Sequence, residues 1–286
     1  MSNKSFSDKV AAFFGDAGAT AKSLLKIAVQ SRGVTVHPCA DPQRPLIVLG
    51  NGPSLNKTLE EESEKLEKAD LLAVNFAANA PVFTQLKPQY YVLADPHFFS
   101  DSNAENLCSL RRSLAEVDWP MTLLVPQHLA KRLPREIAWN KNINVLTFNA
   151  VGAEGFKPFR NAVYGARLAM PRPRNVLIAA LMCGLWLGYR RIYIVGADHS
   201  WMKSIWVDDN NRVVSVQPHF YKDNDAERDR VYSEYAGYHL HDIVYSFYVA
   251  FRAYHHIARF AASARAIIYN STPGSFIDAF LRAPLP

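Results

Sequence analysis

The side chains best suited to chemistry fall into a few short stretches. "LIVLGNGPSLNKTLEE", Leu46 to Glu61, sets Gly50, Asn51, Gly52, Pro53 and Ser54 between an apolar run and an acidic helix start. "LLAVNFAAN" and "YYVLADPHFF" close their apolar runs on Asn75 and Asp95. "PRPRNVLIAAL" puts Arg172, Arg174 and Asn175 ahead of an apolar helix, "IYIVGADHSW" ends on Asp198 and His199, and "GYHLHDI" supplies His239 and His241. Amides and carboxylates accept hydrogen bonds and amides also donate, so Asn51, Asn75 and Asp95 suit ribose hydroxyls or a base edge. Histidine suits proton transfer near neutral pH. Arg172 and Arg174 would offer donors to a phosphate, with Asn175 capping the helix that follows.

The elements that must position these residues are legible as a rhythm. Short apolar runs at Leu46–Leu49, Leu71–Val74, Tyr90–Ala94, Met121–Val125, Asn144–Phe148 and Ile192–Val195 alternate with helical stretches. That alternation predicts an α/β fold, a single Rossmann-like domain with a mainly parallel sheet and helices on both faces. In such sheets ligands gather at the carboxyl ends of the strands, where the Gly50 to Ser54 turn, Asn75, Asp95 and Asp198 would converge. Glycines let backbone N–H groups approach an anion, and the helix starting at Ser54 adds its positive end. The turn lacks the Gly-Lys-Ser/Thr of a P-loop and the third glycine of the dinucleotide fingerprint. The same residues also suit a plain tight turn in which Ser54 caps a helix.

The rest of the chain frames that core. Residues 1–44 read as an N-terminal amphipathic arm, one broken helix or two short ones interrupted by Gly15 and Gly18, followed by a proline-containing linker. The domain proper is expected over 45–286. Trp206 to Val216 reads as a hairpin, with Asp208-Asp209 as turn chemistry rather than a metal pair, inside a polar lid at about 200–240. A long helix follows from about Asp242 to Ala264, with Arg252, His255, His256 and Arg259 on a basic face expected to be solvated or to meet lipid or acceptor. The longest apolar stretch, Val176 to Leu187, is too short to cross a bilayer and reads as a buried helix. Without a signal-peptide pattern, a cytoplasmic location is expected, with the arm and its Lys9, Lys22 and Lys26 suited to the inner face of a membrane or to an oligomer contact. Cys39, Cys108 and Cys183 show no metal spacing. A formal charge of +6 favours an anionic partner, and no nucleic-acid-binding motif is present.

The order "GNGPSL", a strand ending in Asn, a strand ending in Asp-Pro-x-x-Phe-Phe, and "LGYRRIYIVGADHSW" resembles the bacterial lipooligosaccharide sialyltransferases of glycosyltransferase family 42. It is also similar to the wider clan of flagellin-modifying glycosyltransferases and archaeal pterin diphosphokinases. The resemblance implies that Gly50, Asn51, Gly52, Pro53 and Ser54 line the phosphate and sugar of a CMP donor, with Asn75 and Asp95 on ribose, base or donor sugar. Asp95 stands where the sialyltransferases have Asn, which is nearer the wider clan. Ser200 stands where they have a phosphate-holding tyrosine, a role Tyr221, Tyr232 or Tyr235 of the lid could take over. The family's catalytic base falls near His239, with His241 and His199 as alternatives, and Asp198 would orient or bind.

These readings lead to an inverting, metal-independent glycosyltransferase that moves a sugar, of acidic nonulosonic type, from a CMP-activated donor to a surface glycan or glycolipid. No cofactor is expected beyond that nucleotide-sugar substrate. Two alternatives stand beside it. One is a Mg²⁺-dependent pterin-type diphosphokinase with Asp95 and Asp198 as metal ligands, the other a non-catalytic nucleotide-binding protein.

Overall fold

The computed structural model describes residues 5–39, 41, 43–215 and 237–286. The greater part of the expected lid, with Tyr221, Tyr232 and Tyr235, lies outside the described residues.

The strands are β1 (Leu46–Leu49), β2 (Asp70–Val74), β3 (Tyr90–Val92), β4 (Met121–Pro126), β5 (Ile143–Phe148), β6 (Arg191–Val195), β7 (Ile205–Val207), β8 (Val213–Ser215), β9 (Ile267–Asn270) and β10 (Leu281–Arg282). The helices are α1 (Phe6–Gln30), α2 (Ser54–Glu61), α3 (Ser63–Glu67), α4 (Phe83–Leu86), α5 (Glu105–Ala115), α6 (Arg135–Ala138), α7 (Lys157–Gly165), α8 (Val176–Trp186) and α9 (Leu240–Ser263). One sheet runs in the order β10-β9-β6-β1-β2-β3-β4-β5, and every pair in it is parallel. β7 and β8 form a separate antiparallel hairpin. Its turn is closed by Asp208, whose carboxylate accepts from the backbone N–H groups of Asn210 and Arg212.

From β1 the chain winds outward through β2 to β5, then returns to add β6 on the other side of β1. The strand order therefore reverses between β1 and β6, and a crevice must open beyond their carboxyl ends. Strand alternation supplies two cores. Leu46, Val48, Leu72, Val92 and Ile194 face α8 and α9. Ile47, Leu49 and Val195 face Leu55 and Leu66 of α2 and α3, while Ala73, Tyr91 and Leu123 face α5. Helix α8 is apolar all round because it lies between the sheet and α9, with Leu177 to Trp186 all buried.

Several elements differ from the sequence reading. The arm is one continuous helix: Ser5 caps it, and Gly15 and Gly18 meet nothing within 4 Å, so neither a clash nor a required turn interrupts it. β3 stops at Val92. β9 and β10 were not expected, because "IIYN" and "LR" are too short for an alternating pattern. The basic face of α9 is solvated only in part: Arg259 is exposed and His255 is half-exposed, 3.2 Å from Asp278, whereas Arg252 pairs with Glu154 and His256 is buried against Arg160.

The arm and linker are docked on the domain. Ser23 exchanges hydrogen bonds with the backbone of Glu154, and the Thr20 hydroxyl accepts from the N–H of Phe156. Val36 N–H donates to Thr147 O, so the linker covers the free edge of β5. The opposite side of α1 leaves Phe6, Phe14, Leu24 and Leu25 exposed. No helix among the described residues is long and apolar enough to cross a membrane.

Asn149, buried just after β5, ties the linker down. Its Oδ1 accepts from Arg32 N–H at 3.1 Å, and its Nδ2 donates to Arg32 O and Arg167 O at 2.9 Å each. Asn149→Ala leaves three backbone groups without that partner, so stability is expected to fall by about 2–4 kcal/mol in urea unfolding. An unchanged midpoint would mean that the linker is held by other contacts.

Candidate functional site

The crevice at the β1/β6 reversal is a cavity of about 860 Å³. Gly50, Asn51, Gly52, Pro53, Asn75, Asp95, Arg174, Asn175 and Asp198 line it, so residues spread over nearly 150 positions meet in one place. His199, Trp201 and Lys203 extend the wall, and Ile243, Ser246, Phe247 and Ala250 of α9 close the far side. Arg172 does not line the cavity; it packs against Gly152, where an added Cβ would lie 3.0 Å from its Cγ. His239 and His241 are exposed at the start of α9, outside that lining, with their rings 5.8 Å apart. The His239 N–H donates to Asp242, as a helix start requires.

The glycine turn is held differently from the sequence reading. Gly50 N–H donates to Val195 O at 2.8 Å and Gly52 N–H donates to Gly196 O at 2.7 Å. Both groups are spent on the neighbouring strand end, so they do not cradle a phosphate. The anion at the start of α2 is the protein's own: the Ser54 hydroxyl donates to Asp198 Oδ2 at 2.8 Å, with the Ser54 N–H 3.4 Å from the same oxygen. A carboxylate there is favoured by the helix's positive end. The glycines are needed because the two loops touch. A Cβ on Gly50 would lie 2.4 Å from Gly196 O, and one on Gly52 would lie 2.0 Å from Asp198 Oδ2. Gly196 itself has φ +65, which favours glycine.

Three asparagines give the cavity its polarity. Asn51 Nδ2 donates to Val74 O, and Asn175 Oδ1 accepts from Ile178 N–H, capping α8 as its sequence position suggests. Asn75 sits at φ +51, with its carbonyl accepting from the buried Tyr91 hydroxyl. In each amide one buried atom has no partner: Asn51 Oδ1, Asn75 Oδ1 and Asn175 Nδ2. Unmet buried polar atoms are costly in a folded chain. Asp95 is more exposed and accepts from His97 N–H at 2.8 Å. Among the described residues, no group of three or more His, Cys, Asp or Glu side chains is gathered as a metal site would require.

A second cluster was not foreseen as such. His199 Nε2 lies 2.6 Å from the hydroxyl of Tyr254, which lies 3.0 Å from Asn175 Oδ1. The imidazole is also flanked by Trp201, with ring centroids 4.2 Å apart. Burial pushes the His199 pKa down to about 3, and it pushes the Tyr254 phenol up. In sequence Tyr254 reads only as part of the apolar face of α9, since a helical stripe does not reveal which ring carries a hydroxyl into a cavity wall.

No protein-family model and no curated protein sequence matches this chain. Among solved structures, the MAf glycosyltransferase from Magnetospirillum magneticum AMB-1 is similar over 95% of this chain and 38% of its own, at 13% identity and a TM-score of 0.49. This chain therefore spans well under half the length of that protein.

Two outcomes follow from the site. Gly52→Val is expected to lower the melting temperature by several degrees, because its Cβ collides with Asp198 and with the Gly196 carbonyl rather than with a ligand. A variant that melts like the parent but loses ligand would restore the phosphate-cradle reading. The second outcome concerns pH. His199 and His256 are both held near a pKa of 3, chiefly by burial and, for His256, also by Arg160, Arg252, Arg259 and His255. The unfolded chain binds these protons more readily, from the ordinary value of 6.5 downward. Stability contributed by the neutral imidazoles is present above that value and lost as pH falls toward 3. Chemical denaturation at pH 7 and pH 4.5 should show this loss, and it should shrink in His256→Asn.

Proposed function

We propose that the cavity binds a nucleotide-activated sugar and that the protein is an inverting glycosyltransferase. The observation that carries this reading is that three asparagines lining the cavity at the strand-order reversal each hold one unpartnered amide atom, Asn51 Oδ1, Asn75 Oδ1 and Asn175 Nδ2. Two acceptors and one donor suit a ligand rich in hydroxyl and base-edge groups. Asp95 adds a further acceptor for sugar or ribose hydroxyls. Among the described residues Arg174 and Lys203 bring cations to the wall, and they would meet the negative charge of the leaving phosphate. The sequence resemblance supports a CMP donor carrying an acidic, nonulosonic-type sugar, with a surface glycan or glycolipid as acceptor. The exposed apolar side of α1 supports a peripheral membrane contact that suits a lipid-borne acceptor.

The metal-independent form of the reaction is favoured over the diphosphokinase because Asp198, one of the two carboxylates that alternative needs, is held at the start of α2, and Asp95 belongs to no group of three or more His, Cys, Asp or Glu side chains among the described residues. Asp198 accepts from Ser54, and Asp95 accepts from His97. The non-catalytic reading keeps the same cavity and differs only in turnover.

A thermal-shift panel of CMP, CDP, UDP, GDP and ATP, each with and without Mg²⁺, tests the proposal. CMP is expected to stabilise the protein equally in both conditions, and Asn51→Ala should weaken its binding about tenfold without lowering the ligand-free melting temperature by more than a few degrees. Stabilisation by ATP only, and only with Mg²⁺, would support the diphosphokinase instead.

A further inference from the structure

We infer that His199 is the general base of the transfer proposed above, held with its own proton on Nε2 so that Nδ1 receives the proton of the acceptor hydroxyl. The inference rests on the glycosyltransferase reading for its substrate, but the placement of the proton follows from hydrogen-bond geometry alone.

The reasoning starts at Asn175. Its side chain faces the N–H of Ile178, which can only donate, so the atom turned that way must be the oxygen. Tyr254 Oη lies 3.0 Å from that same oxygen, and a carbonyl oxygen cannot donate. Tyr254 therefore gives its single proton to Asn175. On its other side the phenol oxygen is 2.6 Å from His199 Nε2 and has only lone pairs left to offer, so Nε2 carries the hydrogen. A neutral imidazole protonated at Nε2 has a bare lone pair on Nδ1. That nitrogen has no hydrogen-bond partner among the described residues and is not one of the enclosed unpartnered atoms.

The surroundings hold this arrangement. His199 follows Asp198 directly and adopts φ +50, which non-glycine residues take uncommonly, histidine more readily than most. Trp201 on one side and the fully buried Tyr254 on the other keep the ring at the cavity wall. Strain kept by packing at a cavity is the pattern expected of a functional residue. Burial lowers the pKa of the imidazole and so keeps it neutral at pH 7.

In the transfer, the O–H bond of the acceptor breaks and its proton passes to Nδ1. The oxygen's electron pair forms a bond to the anomeric carbon of the donor, and the bond from that carbon to the phosphate oxygen breaks, its pair leaving with the nucleotide. The imidazolium formed shares the cavity with the negative charge of the departing nucleotide, which offsets part of the cost of charging a partly buried ring. The proton is then released to water.

The test combines a spectroscopic and a kinetic readout on the full chain. Long-range ¹H–¹⁵N correlation, with His199 assigned through His199→Gln, is expected to show the Nε2–H tautomer at pH 7. Tyr254→Phe removes only a hydroxyl and keeps the buried ring, and it should let the two tautomers exchange and lower kcat about tenfold with donor KM unchanged. His199→Ala should cut kcat by ~10²–10⁴-fold, again with donor KM unchanged. A parent locked in the Nδ1–H form, parental turnover in His199→Ala, or the large loss appearing in His239→Ala instead would overturn the inference while leaving the glycosyltransferase reading in place. A parent that transfers from no nucleotide sugar would overturn both.

Discussion

The site depends on a backbone contact between two strand ends. Gly50 and Gly52 donate to the carbonyls of Val195 and Gly196, so the loops after β1 and β6 lie against each other with no space for side chains between them. This contact falls where the strand order reverses, the one place in such a sheet where neighbouring loops part toward opposite faces. Asp198 completes the brace by bonding to Ser54 at the start of α2. Its charge is stabilised by the helix start, and its position carries His199 to the cavity wall. A substitution at any of these glycines would therefore disturb fold and site together.

The cavity is polar mainly through neutral groups. Three asparagines and a depressed histidine face it, while the carboxylates near it are engaged by hydroxyl or backbone donors. Neutral amides cost less to bury than ions, and they recognise hydroxyls by direction as well as by charge. Fixing those directions takes support from behind. Val74 O orients Asn51, Tyr91 holds the backbone of Asn75, and Ile178 N–H with Tyr254 orients Asn175. Each support comes from a strand or helix of the sheet layers rather than from a free loop, which is how a cavity keeps its donors and acceptors aimed before a ligand arrives.

Helix α9 links this chemistry to the arm. Its Tyr254 reaches the cavity, and its Arg252 pairs with Glu154, whose backbone is bonded to Ser23 of α1. The linker continues the arm along the edge of β5 and shields a strand that would otherwise present open backbone groups. The arm is thus attached through one side, while its other side keeps an apolar surface in contact with solvent.

By itself the sequence determined the layers and the location of the crevice. Alternating apolar runs separated by helical stretches can bury both faces only as a parallel sheet between helices, and polar residues that end such runs must gather at the carboxyl edge. Six strands, the all-apolar α8, the Asn175 cap and the convergence of Asn51, Asn75 and Asp95 were legible for that reason. The tertiary structure decided what those residues face. Whether a glycine N–H meets an anion or a neighbouring carbonyl depends on how closely two loops far apart in sequence approach, and here the carbonyls of Val195, at the end of β6, and Gly196, just after it, take both donors. The basic stripe of α9 looked wholly solvated because its partners, Glu154, Arg160 and Asp278, lie on other elements. Tyr254 looked like core because its hydroxyl gains meaning only from Asn175 and His199, 79 and 55 residues away. Periodicity along the chain fixes which side of an element is buried, but hydrogen bonds between distant elements fix which atoms remain free to act.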